Sequence, residues 1–193
     1  QNQVDSTVEI LDSLASFVTH SQQIDRATFK SFTQPVFKRH SELFALHWVP
    51  KVLHKDRERF EQRLIQEGFK NGINGLKPTT STLVPAPEKE AYYPVLYSEP
   101  SALNDSVIGF DTYSRNLNAE VINRLLNGSE EFLSTAPFHL IQDEMNSLSV
   151  VFFRPVYALT STNNRSELRG FIAAVVKPQR LIDKQIIGHD VGA

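Results

Sequence analysis

The stretch Leu168-Arg169-Gly170-Phe171-Ile172-Ala173-Ala174-Val175-Val176 is dominated by apolar residues that favour β-strands. A second stretch of this kind, Leu-Ser-Val-Val-Phe-Phe, occupies residues 148–153. The dipeptide Asn163-Asn164 lies between the two stretches and is typical of a turn. Together these segments predict an antiparallel hairpin with a long loop, and therefore a fold that contains a sheet.

The first seventy residues have a different pattern and predict an almost entirely helical region. Between residues 4 and 24, apolar side chains recur at spacings of three and four in two series. The first series is Val4, Val8, Leu11, Ala15 and Val18, and the second is Ile10, Leu14, Phe17 and Ile24. Two stripes on one helix would let one side face the domain and the other a second subunit. The alternative is a single wide stripe that faces the core.

Helix caps and breakers divide the rest of this region. Asp25 is expected as an N-cap, and Pro35 suits the first turn of a further helix that extends to about His47. Asp56 is expected to cap the next helix, which Gly68 ends. On that helix, i,i+4 ion pairs are expected for Arg57 with Glu61 and for Arg63 with Glu67.

The remainder of the chain mixes loops, strands and helices. Glycine, proline, serine and threonine are frequent in residues 70–87, which indicates loops. Residues 94–97 predict a strand, residues 116–126 a helix, and residues 178–187 a final helix. Helices followed by strands that alternate with helices are typical of the α+β class.

The composition argues against several classes of protein. The net charge of −2 comes from interspersed acidic and basic residues, so no basic face for a nucleic acid partner is expected. The sequence contains no cysteine, which excludes disulfides and cysteine-based metal or nucleophile sites. The longest apolar run, from Phe171 to Val176, is far shorter than the ~20 residues of a membrane-spanning helix. The first residues do not resemble a signal peptide.

The common spacings of metal-binding and catalytic residues are missing from the sequence. It contains no His-Glu-x-x-His and no Gly-x-Ser-x-Gly, and its glycines match no nucleotide-binding loop. His40, His47 and His54 are seven residues apart, but Pro50 interrupts the helix that would align them. The ordinary expectation for these histidines is a solvated surface position. No catalytic residue, metal or cofactor is expected, although a dispersed site assembled by folding stays open.

Six short motifs occur in a fixed order along the chain. They are Trp48-Val49-Pro50-Lys51-Val52, Arg57 followed by Phe60-Glu61, Tyr93-Pro94-Val95, Gly109-Phe110-Asp111, Thr135-Ala136-Pro137-Phe138 and Pro155-Val156-Tyr157. In this order they resemble the CHASE domain, the extracellular ligand-sensing module of membrane-bound histidine kinases and nucleotide cyclases, including plant cytokinin receptors. The resemblance extends from about Phe29 to Val176.

The resemblance implies a long N-terminal helical region followed by two PAS-like α/β lobes. Residues 1–70 would form the stalk and dimerisation region, and residues 71–157 the membrane-distal lobe that holds the ligand. Residues 158–193, with part of the N-terminal region, would form the membrane-proximal lobe. We therefore expect a homodimer through the N-terminal helix, and we expect membrane helices outside this chain to anchor the native protein.

The resemblance also implies a ligand site. Asp111 corresponds to the aspartate that bonds the adenine edge of cytokinin in the plant receptors, and Thr135 to a threonine at their pocket. A backbone group near Ile141 corresponds to a further contact with the base. From the residues alone, Asp111 could equally initiate a turn or cap a helix, and Thr135 could be an ordinary strand residue.

The expected walls of the site depart from the plant pattern. Tyr97 and Phe153 are candidate apolar walls, and Arg154 follows Phe153 where the plant receptors have other residues. Arg154 would favour an anionic ligand if it faced inward. Adenine specificity is therefore not carried over to this chain.

These inferences predict a small-molecule-sensing domain of a bacterial transmembrane signalling receptor, either a histidine kinase or a nucleotide or diguanylate cyclase. The domain would be the periplasmic or extracellular portion of an inner-membrane protein, and it would bind its ligand without catalysis. Two alternatives stay open. The chain could be a standalone soluble enzyme with a dispersed polar active site, or a dimerisation module without a ligand.

Overall fold

A computed structural model describes residues 3–21, 23–77, 80, 82–139, 147–159 and 167–178 of the chain. Its elements, in chain order, are α1 (Gln3–His20), α2 (Arg26–Arg39), β1 (Leu43–Pro50), β2 (Val52–Leu53), α3 (Arg57–Gln66), β3 (Asn74–Leu76), β4 (Leu83–Pro85), β5 (Ala91–Tyr92), β6 (Tyr97–Glu99), α4 (Ser101–Asn104), α5 (Asn116–Asn127), β7 (Leu133–Ser134), β8 (Phe138–His139), β9 (Leu148–Tyr157) and β10 (Leu168–Val176). Helices come first and strands alternate with helices afterwards, so the α+β prediction is confirmed.

One antiparallel sheet organises the domain. Its strands lie in the order β6-β1-β10-β9-β7, and β8 pairs with the start of β9. The predicted hairpin is confirmed, because β9 and β10 are antiparallel neighbours with Phe153 opposite Ala173. β1 lies on the other side of β10, with Trp48 opposite Ile172. Two short pairs, β2 with β5 and β3 with β4, form separate two-stranded sheets.

Helix α1 packs on one face of this sheet, against β9 and β10. Both of its predicted apolar series contribute residues that are buried within the single chain, namely Ile10, Leu11, Leu14, Ala15 and Val18. Two polar contacts fix the helix to the sheet: Arg154 pairs with Asp12 at 2.9 Å, and Arg169 donates to the carbonyl of Val18 at 2.6 Å. The single wide stripe therefore describes α1 in this chain, while Val4 stays 43% exposed.

The prediction of helix up to about His47 is wrong. Helix α2 ends at Arg39 with Pro35 inside it, and the residues that follow form β1. β1 is paired on both sides, and side chains on both of its faces are buried. A strand buried on both faces has a continuous apolar run instead of alternation, and periodicity cannot distinguish such a run from a buried helix.

Several local predictions are confirmed. The Asp25 carboxylate accepts a hydrogen bond from the Thr28 N–H at 2.7 Å and caps α2. Helix α5 occupies the predicted position, and both expected ion pairs of α3 form, Arg57 with Glu61 at 2.9 Å and Arg63 with Glu67 at 3.0 Å. The predicted turn at Asn163-Asn164 and nearly all of the predicted final helix lie outside the described residues.

The three segments implied by the resemblance meet in one sheet. Residues 1–70 supply β1, residues 71–157 supply β6 to β9, and residues 158–193 supply β10. The boundary after residue 157 falls inside the β9–β10 hairpin. The division into two lobes stays a prediction, and the sheet described here is built from all three segments.

The close approach of β10 to β1 depends on Gly170. This residue lies opposite Pro50 with φ +150°, beside a shift in the register of β10. A Cβ at this position would lie 2.2 Å from the Val49 carbonyl oxygen, a backbone atom that cannot move without distorting β1.

We predict that Gly170→Ala lowers the free energy of unfolding by roughly 3 kcal/mol or more, because a backbone clash adds to an unfavourable φ. Gly68→Ala is the matched control, since Gly68 has φ +93° but its Cβ would meet nothing within 4 Å. The control should lose only about 1–2 kcal/mol. Urea denaturation measures both values, and equal losses would contradict the role assigned to the β1–β10 approach.

Candidate functional site

A cavity of about 200 Å³ lies on the face of the sheet opposite α1. Strands β1, β9 and β10 supply its floor, through His47, Val151, Phe153, Ala173 and Val175. Successive side chains of a strand point to opposite faces, which explains why Arg154 reaches α1 while its neighbour Phe153 lines the cavity.

The other walls come from segments that cross above the sheet. The short turn after α4, the residues around the start of α5, and β8 supply Val107, Phe110, Arg115, Asn118 and Phe138. Most of these side chains are apolar. The wall therefore resembles that of small-molecule sites, which are mostly apolar with a few placed polar groups.

Two buried polar atoms at this cavity have no hydrogen-bond partner among the described residues. They are Nδ1 of His47, a residue 6% exposed, and Oδ1 of Asn118, a residue 4% exposed. A buried polar atom without a partner costs about 1–3 kcal/mol, so most buried polar atoms are paired. Two such atoms on one cavity are open to a hydrogen bond from a water or from a bound molecule.

The His47 side chain is a neutral polar group at physiological pH. Burial lowers its pKa from the ordinary 6.5 to about 4, because the protonated ring would lose its hydration. A neutral imidazole presents one donor and one acceptor nitrogen, so His47 can bond either kind of ligand atom. The expectation of a solvated surface position is wrong for this histidine, which lies on the buried strand β1.

Arg115 is the cationic group at the cavity. Its guanidinium lies 4.5 Å from the centre of the Phe138 ring, a distance at which a cation is attracted to the ring face. Burial lowers the pKa of the Arg115 guanidinium. No other charged side chain of the described residues lines this cavity.

The structure brings one of the sequence-predicted site residues, Phe153, to this cavity. The Asp111 carboxylate is buried and accepts the Tyr93 N–H at 2.9 Å and the Lys89 ammonium. The Thr135 hydroxyl accepts the Val151 N–H at 3.1 Å. Neither Asp111 nor Thr135 is among the described residues that line the cavity.

The remaining predicted site residues have other surroundings. The Tyr97 hydroxyl donates to the Ile24 carbonyl at 2.7 Å, and its ring packs on Phe29 of α2. Arg154 is on the α1 side of the sheet, and Ile141 lies outside the described residues. Ligand contact by these residues, and by Asp111 and Thr135, stays a prediction.

Five polar residues of the cavity were not among the predicted site residues: His47, Ser106, Thr112, Arg115 and Asn118. His47 had a usable signal, since it interrupts the apolar run Leu43-Phe44-Ala45-Leu46 and Trp48-Val49. Read as a buried strand, that run would have marked a polar side chain inside the core. Arg115 and Asn118 had no comparable signal, because they meet the cavity only through the packing of α5 over the sheet.

Neither metal sites nor membrane spans emerge from the described part of the chain. Its His, Asp and Glu side chains form no group of three that could hold a metal ion. Likewise, no helix within the described ranges is both long and apolar enough to cross a membrane.

Comparison with known proteins identifies the family. The model of the CHASE domain family matches residues 22–191, which is most of the chain. The chain belongs to the CHASE domain family, as the order of motifs predicted. It is thus a sensory domain of the kind found in histidine kinases and nucleotide cyclases.

Curated relatives share this region as a small part of longer proteins. Histidine kinase 3 of Arabidopsis thaliana is 24% identical over 194 residues, covering 91% of this chain and 18% of that protein. The germination-specific adenylate cyclase of Dictyostelium discoideum is 28% identical over 117 residues, covering 59% of this chain and 13% of that protein. The chain spans less than a fifth of the length of either relative.

A solved structure with a similar arrangement is the ligand-binding domain of the Pseudomonas aeruginosa PAO1 amino acid chemoreceptor PctC in complex with GABA. The sequence identity is 15% and the TM-score 0.48, with 92% of this chain and 55% of that chain covered.

The burial of His47 predicts a pH dependence of stability. The pKa of His47 is lowered in the folded state. Below pH 6.5, His47 therefore binds a proton in the unfolded chain but stays neutral in the folded chain until the pH approaches 4. The contribution of the neutral His47 ring to the free energy of unfolding is fully present above pH 6.5. It is lost progressively as the pH falls from 6.5 toward 4. Between pH 7.5 and pH 5, we expect this residue to account for a loss of about 2 kcal/mol.

Urea denaturation of the wild type and of His47→Gln at both pH values measures this contribution. The variant should lose less stability than the wild type over this interval. His139→Gln, at an exposed position on β8, is the control and should behave as the wild type. A His47→Gln variant with an unchanged pH dependence would show that the buried ring is not the titrating group.

Proposed function

We propose that this chain is the small-molecule-sensing domain of a bacterial transmembrane signalling receptor, with the cavity as its ligand site. The output domain would be a histidine kinase or a nucleotide or diguanylate cyclase. The domain would lie in the periplasm or outside the cell, anchored through membrane helices on either side. Membership of the CHASE family and the kinase and cyclase relatives support this proposal.

The observation that carries the ligand site is the pair of unpartnered polar atoms, His47 Nδ1 and Asn118 Oδ1, on an apolar cavity. They lie on opposite sides of it, one on β1 and one on α5. A dry apolar cavity of about 150 Å³ can hold benzene. The volume of about 200 Å³ therefore suits a ligand with one ring or a short branched chain.

The sheet connects this site to α1. Ala173 and Val175 of β10 line the cavity, while Arg169 at the start of the same strand holds the C-terminal turn of α1. On β9, Phe153 lines the cavity and Arg154 pairs with α1. A ligand that moves β9 or β10 would also move α1, and signalling would be a shift between populations that differ in ligand affinity.

A ligand screen combined with one substitution tests the site. Asn118→Leu removes a polar atom that has no partner and replaces it with an apolar group of similar size. The free protein should keep its stability or gain some. A ligand that donates a hydrogen bond to Asn118 should lose roughly tenfold or more in affinity. Thermal-shift screening of purines, amino acids, carboxylates and small peptides supplies the ligand, and calorimetry supplies the affinities.

Two further variants serve as controls. Asn123→Leu lies on the same helix, where the side chain is exposed and accepts from the Tyr113 hydroxyl, and it should bind as the wild type does. Asp111→Ala tests the site implied by the plant receptors. A ligand that no longer binds Asp111→Ala but still binds Asn118→Leu would show that the ligand site is at Asp111 and not at the cavity. If the protein converted a bound molecule to a product, the alternative of a soluble enzyme would be favoured. If no molecule in the screen bound, the alternative of a dimerisation module without a ligand would be favoured.

We also propose a homodimer through α1. Its exposed side, which includes Val4, is the surface that this helix offers to a second copy. Deleting the helix is not a usable test, because Leu11, Leu14 and Val18 are fully buried against the sheet. Light scattering should show a mass that rises with concentration in the wild type and less so in Val4→Glu. A monomer at every concentration in both proteins would contradict the dimer.

A further inference from the structure

Helix α5 begins at the cavity without the groups that normally stabilise a helix N-terminus. Its N-cap is Arg115, no side chain caps it, and its first turn contains no acidic residue. The first N–H groups of a helix lack partners within the helix, and the helix dipole makes this end positive. Serine, threonine, aspartate or asparagine normally occupy the N-cap, whereas a cation there opposes the dipole. The start of α5 is thus an electropositive position beside an apolar cavity.

Arg115 itself differs from the other half-buried arginines. Arg26, Arg57 and Arg154 each pair with a carboxylate at 2.8–2.9 Å, and Arg169 donates to backbone carbonyls of α1. Within the described ranges, Arg115 pairs with no carboxylate and donates to no carbonyl; its contact is with the face of the Phe138 ring. Stacking occupies the flat face of a guanidinium and leaves its N–H edge available for an anion.

A buried polar side chain points to the same ligand position. Asn118 lies in the first turn of α5, is 4% exposed, and has an unpartnered Oδ1 at the cavity. An amide oxygen accepts hydrogen bonds and does not donate them, so its partner must carry an N–H or O–H group. Besides the neutral His47 ring and the Ser106 and Thr112 side chains, the cavity therefore offers one cation, one amide acceptor and an apolar wall.

We propose that the ligand is a small monocarboxylate with an apolar body that carries a hydrogen-bond donor. Arg115 and the first N–H groups of α5 bind the carboxylate, and Asn118 accepts from the donor. The apolar body fills the space against Phe153 and Ala173. Arg115 is the one charged side chain of the described residues at this cavity. A single positive charge matches the single negative charge of a carboxylate better than the two charges of a phosphate dianion. This assignment rests on the proposed function, since it names the class of ligand for that same cavity.

Paired ligands give the most direct test. The probes are monocarboxylates with a hydroxyl or amino group, from short branched hydroxy acids to single-ring aromatic acids such as 4-hydroxyphenylacetate, each with its primary amide. The amide keeps the shape and removes the charge. We expect at least one acid to raise the melting temperature and its amide to fail. Inorganic phosphate is included, and binding of phosphate in place of every carboxylate would overturn the proposal.

The matching variant is Arg115→Met, which keeps an unbranched stem over Phe138 and removes the cation from the N-cap. Its melting temperature without ligand should not fall, since the unfavourable charge at the helix start is gone. The bound acid should lose roughly tenfold to hundredfold in affinity, as for a hydrogen bond to a charged group. Arg124→Met, an exposed arginine near the other end of α5, is the control and should bind as the wild type does.

The outcomes separate this proposal from the function on which it rests. A neutral hit that is lost in Asn118→Leu would keep the cavity as the ligand site and refute the carboxylate. An acid that binds Arg115→Met as tightly as the wild type, or whose amide binds equally well, would refute it too. A screen in which no acid binds would refute the carboxylate, and a hit insensitive to both cavity variants would refute the cavity itself.

Discussion

The antiparallel pairing of β1 with β10 is the constraint on which the rest of the domain depends. It joins residues 43–50 to residues 170–176 across most of the chain length and places β1 between β6 and β10. With both edges of β1 paired, the strand can be buried on both faces. One face of the sheet then receives α1, and the other is left for α5 and the turns around it, which enclose the cavity.

The same pairing explains which parts of the fold were predictable. The hairpin of β9 and β10, the cap at Asp25 and helix α5 depend on local sequence, and these predictions are confirmed. The sequence did not reveal β1 as a strand because its burial depends on strands far away in sequence. A strand buried on both faces has a continuous apolar run instead of alternating apolar and polar residues. Phe153 lines the cavity, and its role as an apolar wall of the ligand site stays a prediction. His47, Arg115 and Asn118 converge only through tertiary packing, so no local pattern joins them.

The motifs that identify the family act mainly in the fold, as far as the described residues show. Glu61 accepts the Ile73 N–H at 2.9 Å, and Arg57 donates to the Ala86 carbonyl at 2.8 Å, so this pair holds the segments on either side of β3 and β4. Asp111 holds the Tyr93 N–H in the same way. Polar bonds of this kind fix the backbone path of this chain around β3, β4 and Tyr93. These residues thus identify the family through bonds that shape the backbone, and a fold shared within a family does not by itself specify a ligand.

The polar groups of the cavity also indicate how binding energy could reach α1. A ligand changes an equilibrium only through contacts that differ between the two states. Arg115 and Asn118 belong to the α5 side of the cavity, whereas His47 and Ala173 belong to the sheet. A molecule that bonds both sides favours the state in which α5 lies close to the sheet, and loses that advantage when they separate. β9 and β10 are tied to α1 through Arg154 and Arg169. Under the proposed function, the distance between α5 and the sheet would therefore be the coordinate through which ligand occupancy biases the position of α1.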